Sequence, residues 1–326
     1  MPYNSLGNSP NNSLENSISN ASLGFETPIR LYKNIITKME AWQPGSSHKA
    51  RAARYMIQAA IAQGDLEPNT DKRIIEKSGG NLGVGLAYAA AQYGIGVDLV
   101  IGLSFSRIKK QLCEHFGARV IKEDWLSEKG MTPKEVIQAL TCEQDHNYFF
   151  TDQFSNKANA RAHLQETGPE FVAQIKPHVR QDQQIILVKG AGTGASFNGI
   201  IRALKEFSPQ AKSCLVVPDN CDVLKDVYAD HKLEGFCVGT KPPFLDLETV
   251  DKQFFVSTEQ ASSGQNLMAQ NLGFYPGMTS GANYYAATKI AQQNPDALVL
   301  TLAYDSGESY LSVQPAQKNL SIKNAA

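Results

Sequence analysis

The sequence predicts an α/β fold of two lobes, each with a mainly parallel sheet flanked by helices. Three observations predict it. Short apolar, β-branched runs alternate with segments of helical period along most of the chain, the pattern of parallel strands joined by crossover helices. The chain has 326 residues, more than one modest sheet covers, so two sheets are expected. Glycine-rich turns recur where a strand candidate meets a helix candidate, and parallel sheets bind ligands at such turns.

The strand candidates in chain order are Val97–Leu103, Arg119–Ile121, Tyr148–Phe150, Gln184–Val188, Ser213–Val217, Phe254–Ser257 and Ala297–Ala303. The helix candidates are Lys49–Gln63, Gly83–Tyr93, Ile108–Phe116, Pro133–Glu143, Ala160–Ile175, Gly194–Phe207, Glu259–Asn271 and Gly281–Gln293. In the first of these, Ala53, Ile57, Ala60 and Ile61 share one face, the stripe of a packed helix. No internal repeat is visible. The expected organisation is a mostly disordered tail over 1–24, a large cofactor-binding domain over 25–45 plus 157–326, and a small substrate-loop domain over 46–156.

Bulk properties narrow the function classes. Formal net charge is −1 and charged residues make up 19% of the chain, so neither nucleic acid nor an anionic membrane is expected as a partner. No apolar stretch is long enough to cross a bilayer. The Asn- and Ser-rich tail has no apolar core, so no secretory signal is expected there, although its 18–23 stretch could dock on a partner subunit. The five cysteines, Cys113, Cys142, Cys214, Cys221 and Cys237, show no C-x-x-C spacing. A reducing cytoplasm is expected, without a disulfide framework or a metal site.

The most informative stretch is Lys189-Gly190-Ala191-Gly192-Thr193-Gly194-Ala195-Ser196. It lies between an apolar strand candidate and a helix candidate. Strand, glycine-rich turn and helix in that order make an anion cradle, because backbone amides and the positive helix end face the ligand. A Walker loop is excluded, since no Gly-Lys-Ser/Thr follows. Two readings stay open on these residues. Gly190, Gly192 and Ala195 fit a dinucleotide fingerprint, with Asp219 placed for a ribose. Alternatively, Thr193 and Ser196 flank a phosphate cup for pyridoxal phosphate, which requires a reactive lysine and further glycine-rich loops elsewhere.

Those further features are present. Ser78-Gly79-Gly80-Asn81-Leu82-Gly83 opens onto a helix and could hold a carboxylate, with Asn81 as a side-chain donor. Gly277-Met278-Thr279-Ser280-Gly281 stands at another helix start. Gln43-Pro44-Gly45-Ser46-Ser47-His48-Lys49 puts a lysine in the first turn of a helix. The helix field disfavours a cation there and should lower its pKa, as an imine-forming lysine needs.

Taken together these motifs resemble the fold-type II pyridoxal-phosphate enzymes of the cysteine synthase and cystathionine β-synthase family, with a tryptophan synthase β-like fold. The resemblance runs from about Thr27 to Ser312. Thr27-Pro28, Arg30-Leu31, Thr167-Gly168-Pro169-Glu170, Ser306-Gly307-Glu308 and Tyr310-Leu311-Ser312 also take part. It implies that Lys49 carries the cofactor as a Schiff base. It implies that Asn81 meets the cofactor's 3′ oxygen, that Gly192, Thr193, Gly194, Ala195 and Ser196 hold its phosphate, and that Thr279 faces its pyridine nitrogen. Ser78, Gly79, Gly80, Asn81, Leu82 and Gln153 are implied as the substrate-carboxylate site. A homodimer acting on a small amino acid is implied.

The implied reaction is β-replacement on an activated serine, O-acetylserine or O-phosphoserine, through an aminoacrylate intermediate, with Lys49 removing the α-proton. Thr279, a neutral partner for the ring nitrogen, fits elimination and replacement better than transamination. The alternatives are a β-eliminating lyase or desulfhydrase, or a diaminopropionate-precursor synthase with an amine nucleophile. More distant rivals are an NAD-dependent dehydrogenase and a non-catalytic cofactor-binding module. The departures from the family pattern fall on the substrate side. Gly79 and Leu82 stand where the carboxylate loop usually carries hydroxyls, Cys237 where glycine is usual, and Ser309 where arginine is usual.

Each residue taken alone has a plainer reading. A lysine at a helix start is ordinarily a solvated surface residue, and Asn81 an ordinary turn residue. Gln153 could cap a neighbouring element, and Thr279 with Ser280 could form an N-cap pair. His48 and His163, which have no partner identifiable in the sequence, are expected to be structural or exposed. Cys237 reads as a site residue or as a buried inert thiol. The role of Asp305 is open.

Overall fold

The computed structural model describes residues 25–311 except 104–106, 143–146 and 238. The expected tail over 1–24, Ser312 of the closing motif and the expected helix end at Glu143 lie outside the described residues. Along the chain the strands are β1 (Ile29–Tyr32), β2 (Ile35–Lys38), β3 (Arg73–Glu76), β4 (Val97–Leu99), β5 (Arg119–Val120), β6 (Tyr148–Phe150), β7 (Ile185–Gly190), β8 (Lys212–Pro218), β9 (Lys252–Val256) and β10 (Leu298–Leu302). The α-helices are α1 (Lys49–Gln63), α2 (Asn81–Ala91), α3 (Arg107–His115), α4 (Glu123–Ser127), α5 (Pro133–Leu140), α6 (Lys157–Ala162), α7 (Gly168–Ile175), α8 (Ala195–Phe207), α9 (Thr258–Leu272) and α10 (Met278–Gln293).

Two sheets form. The larger runs β1-β2-β10-β7-β8-β9 and the smaller β5-β4-β3-β6. Every pairing is parallel except the β1–β2 hairpin at one edge. β7 lies inside the larger sheet and is buried along its whole length. Such a strand reads as a continuous apolar run because helices cover both of its faces. Each sheet has its own apolar core, one around Leu187, Val216, Phe197 and Ile290, the other around Ile57, Ile74, Leu86 and Val97.

The structure corrects several expected elements. The sequence reading missed β1, β2 and β3, whose apolar pairs are flanked by Arg30, Lys38, Arg73 and Glu76. Lys38 and Glu76 are nevertheless fully buried, because other side chains satisfy them. β4 stops at Leu99 instead of Leu103, since its partner β3 ends opposite it at Glu76. α2 and α10 begin at Asn81 and Met278, earlier than expected. The single helix expected over 160–175 is α6, a π-helical turn from His163 to Thr167, and α7. That turn adjoins the candidate site, a common location for π-bulges.

Two features place the site. Gly85 on α2 lets α1 approach closely, because a Cβ there would lie 3.2 Å from the Ala50 Cα. The starts of α1 and α2, which carry Lys49 and Asn81, are thereby held together. The start of α1 is also fixed to the larger sheet by buried charges. The Arg51 guanidinium donates to Glu40 at 2.9 Å, Glu166 at 2.6 Å and Glu170 at 2.6 Å. Lys38 at the end of β2 donates to Glu170 at 2.5 Å. Burial would raise the Glu170 carboxyl, but Arg51 and Lys38 outweigh it and hold that carboxyl below its usual range.

Candidate active site

A cavity of about 560 Å³ is lined by residues of both sheets' connections. Of the residues singled out in the sequence, Lys49, Ser78, Gly80, Asn81, Leu82, Gln153, Gly192, Thr193, Ser196 and Thr279 line it. Gly79, Gly194 and Ala195 belong to the same loops but are not among its lining residues. Residues up to 230 positions apart in sequence thus converge on one space.

Lys49 is the first residue of α1. Its ammonium donates to Gln153 Oε1 at 3.2 Å. Gln153 is itself steadied by Asn159 Nδ2, which donates to its backbone carbonyl at 2.8 Å. Burial lowers the Lys49 pKa to about 8, partly offset by the carboxylate of Glu76. Burial is therefore a sufficient cause for the lowering expected from the helix field. Capture of an aldehyde requires the free amine, so the rate at which apoprotein captures pyridoxal should rise with pH and level off above about 8. Stopped-flow absorbance checks this, and a midpoint near the ordinary lysine value of about 10.4 would contradict it.

Two helix starts face the cavity. α2 begins after Gly80, which offers no side-chain cap, so the first amides have no intrahelical partner. α8 begins after Gly194 at φ 87°, a left-handed conformation that glycine adopts without strain. Thr193 Oγ1 accepts from Asn159 Nδ2 at 3.4 Å, which anchors the loop. A third start, that of α10, carries Thr279 into the cavity wall, while the Ser280 hydroxyl accepts from the Tyr304 amide at 2.8 Å. Gly277 is the N-cap there and has no side-chain cap bond, so Thr279 and Ser280 do not form the N-cap pair of the plainer reading.

Lining the same cavity is a network whose connections the sequence did not reveal. Lys109 of α3 donates to Asn81 Oδ1 at 2.5 Å, to Tyr310 at 2.5 Å and to Asp305 at 3.2 Å. Asn81 Nδ2 donates to Asp305 Oδ2 at 2.9 Å, and the Tyr310 hydroxyl donates to the same oxygen at 2.7 Å. The Asn81 amide is therefore oriented from both ends. Asp305, whose role the sequence left open, ties the end of the larger sheet to the smaller lobe's α2 and α3. Lys109 carried no local signal, since Arg107, Lys109 and Lys110 read as an ordinary solvated helix face.

The remaining candidates fall as follows. His48 and His163 both line the cavity. His163 is 2% exposed and its Nδ1 lies 2.9 Å from Thr167 Oγ1, so it has the partner the sequence did not reveal. Burial holds both imidazoles neutral, well below their usual pKa. Cys237 lines the cavity, yet burial, with Cys221 adding, pushes its thiol up to about 12, so it is a protonated, unreactive thiol. Asp219 is exposed and lies outside the cavity, which removes the ribose ligand of the dinucleotide reading. Among the described residues no cluster of histidine, cysteine and carboxylate side chains could hold a metal, and no helix is long and apolar enough to cross a membrane.

Comparison with known proteins agrees with this arrangement. The family model described as pyridoxal-phosphate dependent enzyme matches residues 23–305. Cysteine synthase B of Campylobacter jejuni is 32% identical over 281 residues, covering 86% of this chain and 90% of that protein. Among solved structures, an O-acetylserine dependent cystathionine β-synthase from Helicobacter pylori superposes with a TM-score of 0.77 at 28% identity, over 90% of this chain and 96% of that one. An O-ureido-L-serine synthase superposes with a TM-score of 0.77 at 26% identity, over 88% and 91%. The fold, the convergent glycine loops and these likenesses together establish that the chain belongs to the fold-type II pyridoxal-phosphate-dependent enzymes, in the cysteine synthase and cystathionine β-synthase family.

Proposed function

We propose that this protein exchanges the β-substituent of an activated serine, O-acetylserine or O-phosphoserine, for sulfide, a thiol or an amine, with Lys49 as its catalytic residue. The observation that carries the reading is the Lys49 amine, lowered to about 8, held on Gln153 inside a cavity that three helix starts also enter. The cysteine synthase and the O-acetylserine dependent enzyme among its relatives support the substrate class.

The donor set fits pyridoxal phosphate. A partly deprotonated lysine suits an aldehyde, and a glycine-rich helix start with two hydroxyls suits a phosphate. When bound, the cofactor supplies an electron sink for the charge left by α-proton loss. In this reading Lys49 Nζ would anchor the cofactor and, once displaced, take the substrate α-proton. Gly192, Thr193, Gly194, Ala195 and Ser196 would hold the phosphate through amides and hydroxyls. Asn81, oriented by Lys109 and Asp305, would present its amide to the ring's 3′ oxygen, and the Thr279 hydroxyl would serve the ring nitrogen. Ser78, Gly79, Gly80, Asn81, Leu82 and Gln153 would receive the substrate carboxylate on the amides at the start of α2. Leu82 is 2% exposed and offers no hydroxyl, so that loop would rely on backbone donors more than a Thr-containing loop does.

We further take 46–156 as the substrate-loop domain and 25–45 plus 157–326 as the cofactor-binding domain. The tail over 1–24, a homodimer and a cytoplasmic location belong to the same proposal, and sedimentation at twice the 35.6 kDa chain mass would support the dimer. The catalytic test supplies reconstituted protein with O-acetylserine, O-phosphoserine or serine, together with sulfide or an amine. Release of acetate or phosphate with formation of the substituted amino acid is expected. If no activated serine loses its β-substituent, the proposal fails.

A further inference from the structure

Lys189 is a buried lysine with no carboxylate beside it among the described residues. Its side chain is 0% exposed at the end of β7. Its ammonium donates to Ser196 Oγ at 2.9 Å and to the Gly190 carbonyl at 3.0 Å. The rings of Phe197 and Tyr304 flank it at 5.7 Å and 5.3 Å. Among the described residues, the other buried lysine and arginine side chains have carboxylates. Lys38 has Glu40 and Glu170, Arg51 has Glu40, Glu166 and Glu170, and Lys109 has Asp305. An isolated buried charge is strongly unfavourable, as is the charge left when one partner of a buried ion pair is removed. A lysine kept in such a place calls for an anion that the protein itself does not supply.

The hydrogen bonding indicates where that anion sits. Ser196 lines the cavity in the first turn of α8. Its oxygen already accepts from Lys189, so its own proton is free to point outward. A cation that polarises a hydroxyl, which then donates to an anion, makes a stronger donor than the hydroxyl alone. We propose that Lys189 is the counter-ion of the cofactor phosphate, acting from behind the glycine-rich loop through the Ser196 hydroxyl. This rests on the reading of 192–196 as the phosphate cup. Burial, with Lys49 adding, lowers the free ammonium to about 7, so an anion arriving at the cup would draw a proton onto it. His48 and His163 neighbour the same ammonium, and the Tyr304 ring borders it.

The test uses full-length apoprotein and binding, not turnover. Lys189→Met should weaken sulfate and pyridoxal phosphate by about tenfold or more, the scale of a charge-assisted hydrogen bond, while capture of unphosphorylated pyridoxal is unchanged. Ser196→Ala should give a smaller loss with the same selectivity. Sulfate does not titrate near neutrality, so calorimetry at about pH 8 in buffers of different ionisation enthalpy reports protons taken up by the protein. Uptake should occur in the Lys49→Ala protein and vanish in Lys49→Ala with Lys189→Met. Should Lys189→Met fail to fold, uptake by the Lys49→Ala protein still decides. Affinities of Lys189→Met for sulfate and pyridoxal phosphate equal to those of wild type, or no proton uptake in Lys49→Ala, would overturn the assignment. Loss of pyridoxal and pyridoxal phosphate capture alike in wild type would instead overturn the cofactor site itself.

Discussion

Replacing Lys49 with alanine is expected to abolish both covalent retention of the cofactor and turnover, while leaving the fold intact. Two losses combine. The side chain is the amine proposed to anchor the cofactor, and it is the base proposed to take the α-proton. General-base contributions alone are about 10²–10⁴-fold in rate, so a fall in kcat of at least about 10³-fold is expected. The stability cost should be small. Lys49 is only half-buried by accessible surface, and among the described residues its side chain hydrogen-bonds to Gln153 alone. Alanine is moreover the best residue for a helix. An added primary amine can enter the vacated space and take over part of the proton transfer, which structural damage would not allow. Rate assays with and without ethylamine, beside a urea titration, separate the two effects. Retained turnover in the alanine protein would remove Lys49 from the mechanism.

The second large effect concerns stability. Arg51→Ala should cost about 3–5 kcal/mol, because removing one member of a buried ion cluster leaves the others uncompensated. Glu40 is fully buried and Glu170 partly buried, and both lean on the guanidinium. The sign of the pH dependence follows from Glu170, whose folded pKa is held below the usual carboxylate value. Its contribution is fully present above the unfolded carboxylate pKa of about 4.3 and is lost as pH falls through the lowered folded value. The gap between Arg51→Ala and wild type should therefore be widest near neutrality and shrink in acid. Urea midpoints across that range check this, and a gap that grew on acidification would contradict it. Because Arg51 lies two residues after Lys49, the same cluster also holds the catalytic helix against the larger sheet. Cofactor affinity should fall along with stability.

The sequence made some of this site legible and hid the rest, for physical reasons. The starts of α1, α2, α8 and α10 were visible because anion sites at helix ends need glycine and hydroxyl residues in a fixed local order. Their convergence on one cavity was not, since that depends on how two sheets meet; the family resemblance supplied it. Lys109, and its partnership with Asp305 and Tyr310, escaped because that partnership spans about 200 positions and leaves no local pattern. Lys189 was in plain view as a lysine ending a wholly apolar strand, an anomaly that pattern reading absorbed into the glycine motif. Among strands, β7, β8 and β10 were found by their apolar runs. β2 and β3 were missed because Lys38 and Glu76 look like surface residues until the glutamate cluster and Thr151 that satisfy them are known.

The proposal that the Lys49 amine carries the cofactor is tested most directly by reducing protein loaded with pyridoxal phosphate with borohydride and mapping its peptides by mass. A stable pyridoxyl-phosphate addition on Lys49, absent from the Lys49→Ala protein, is the predicted result. An addition confined to Lys189 or another lysine, or none at all in protein saturated with the vitamer, would contradict it.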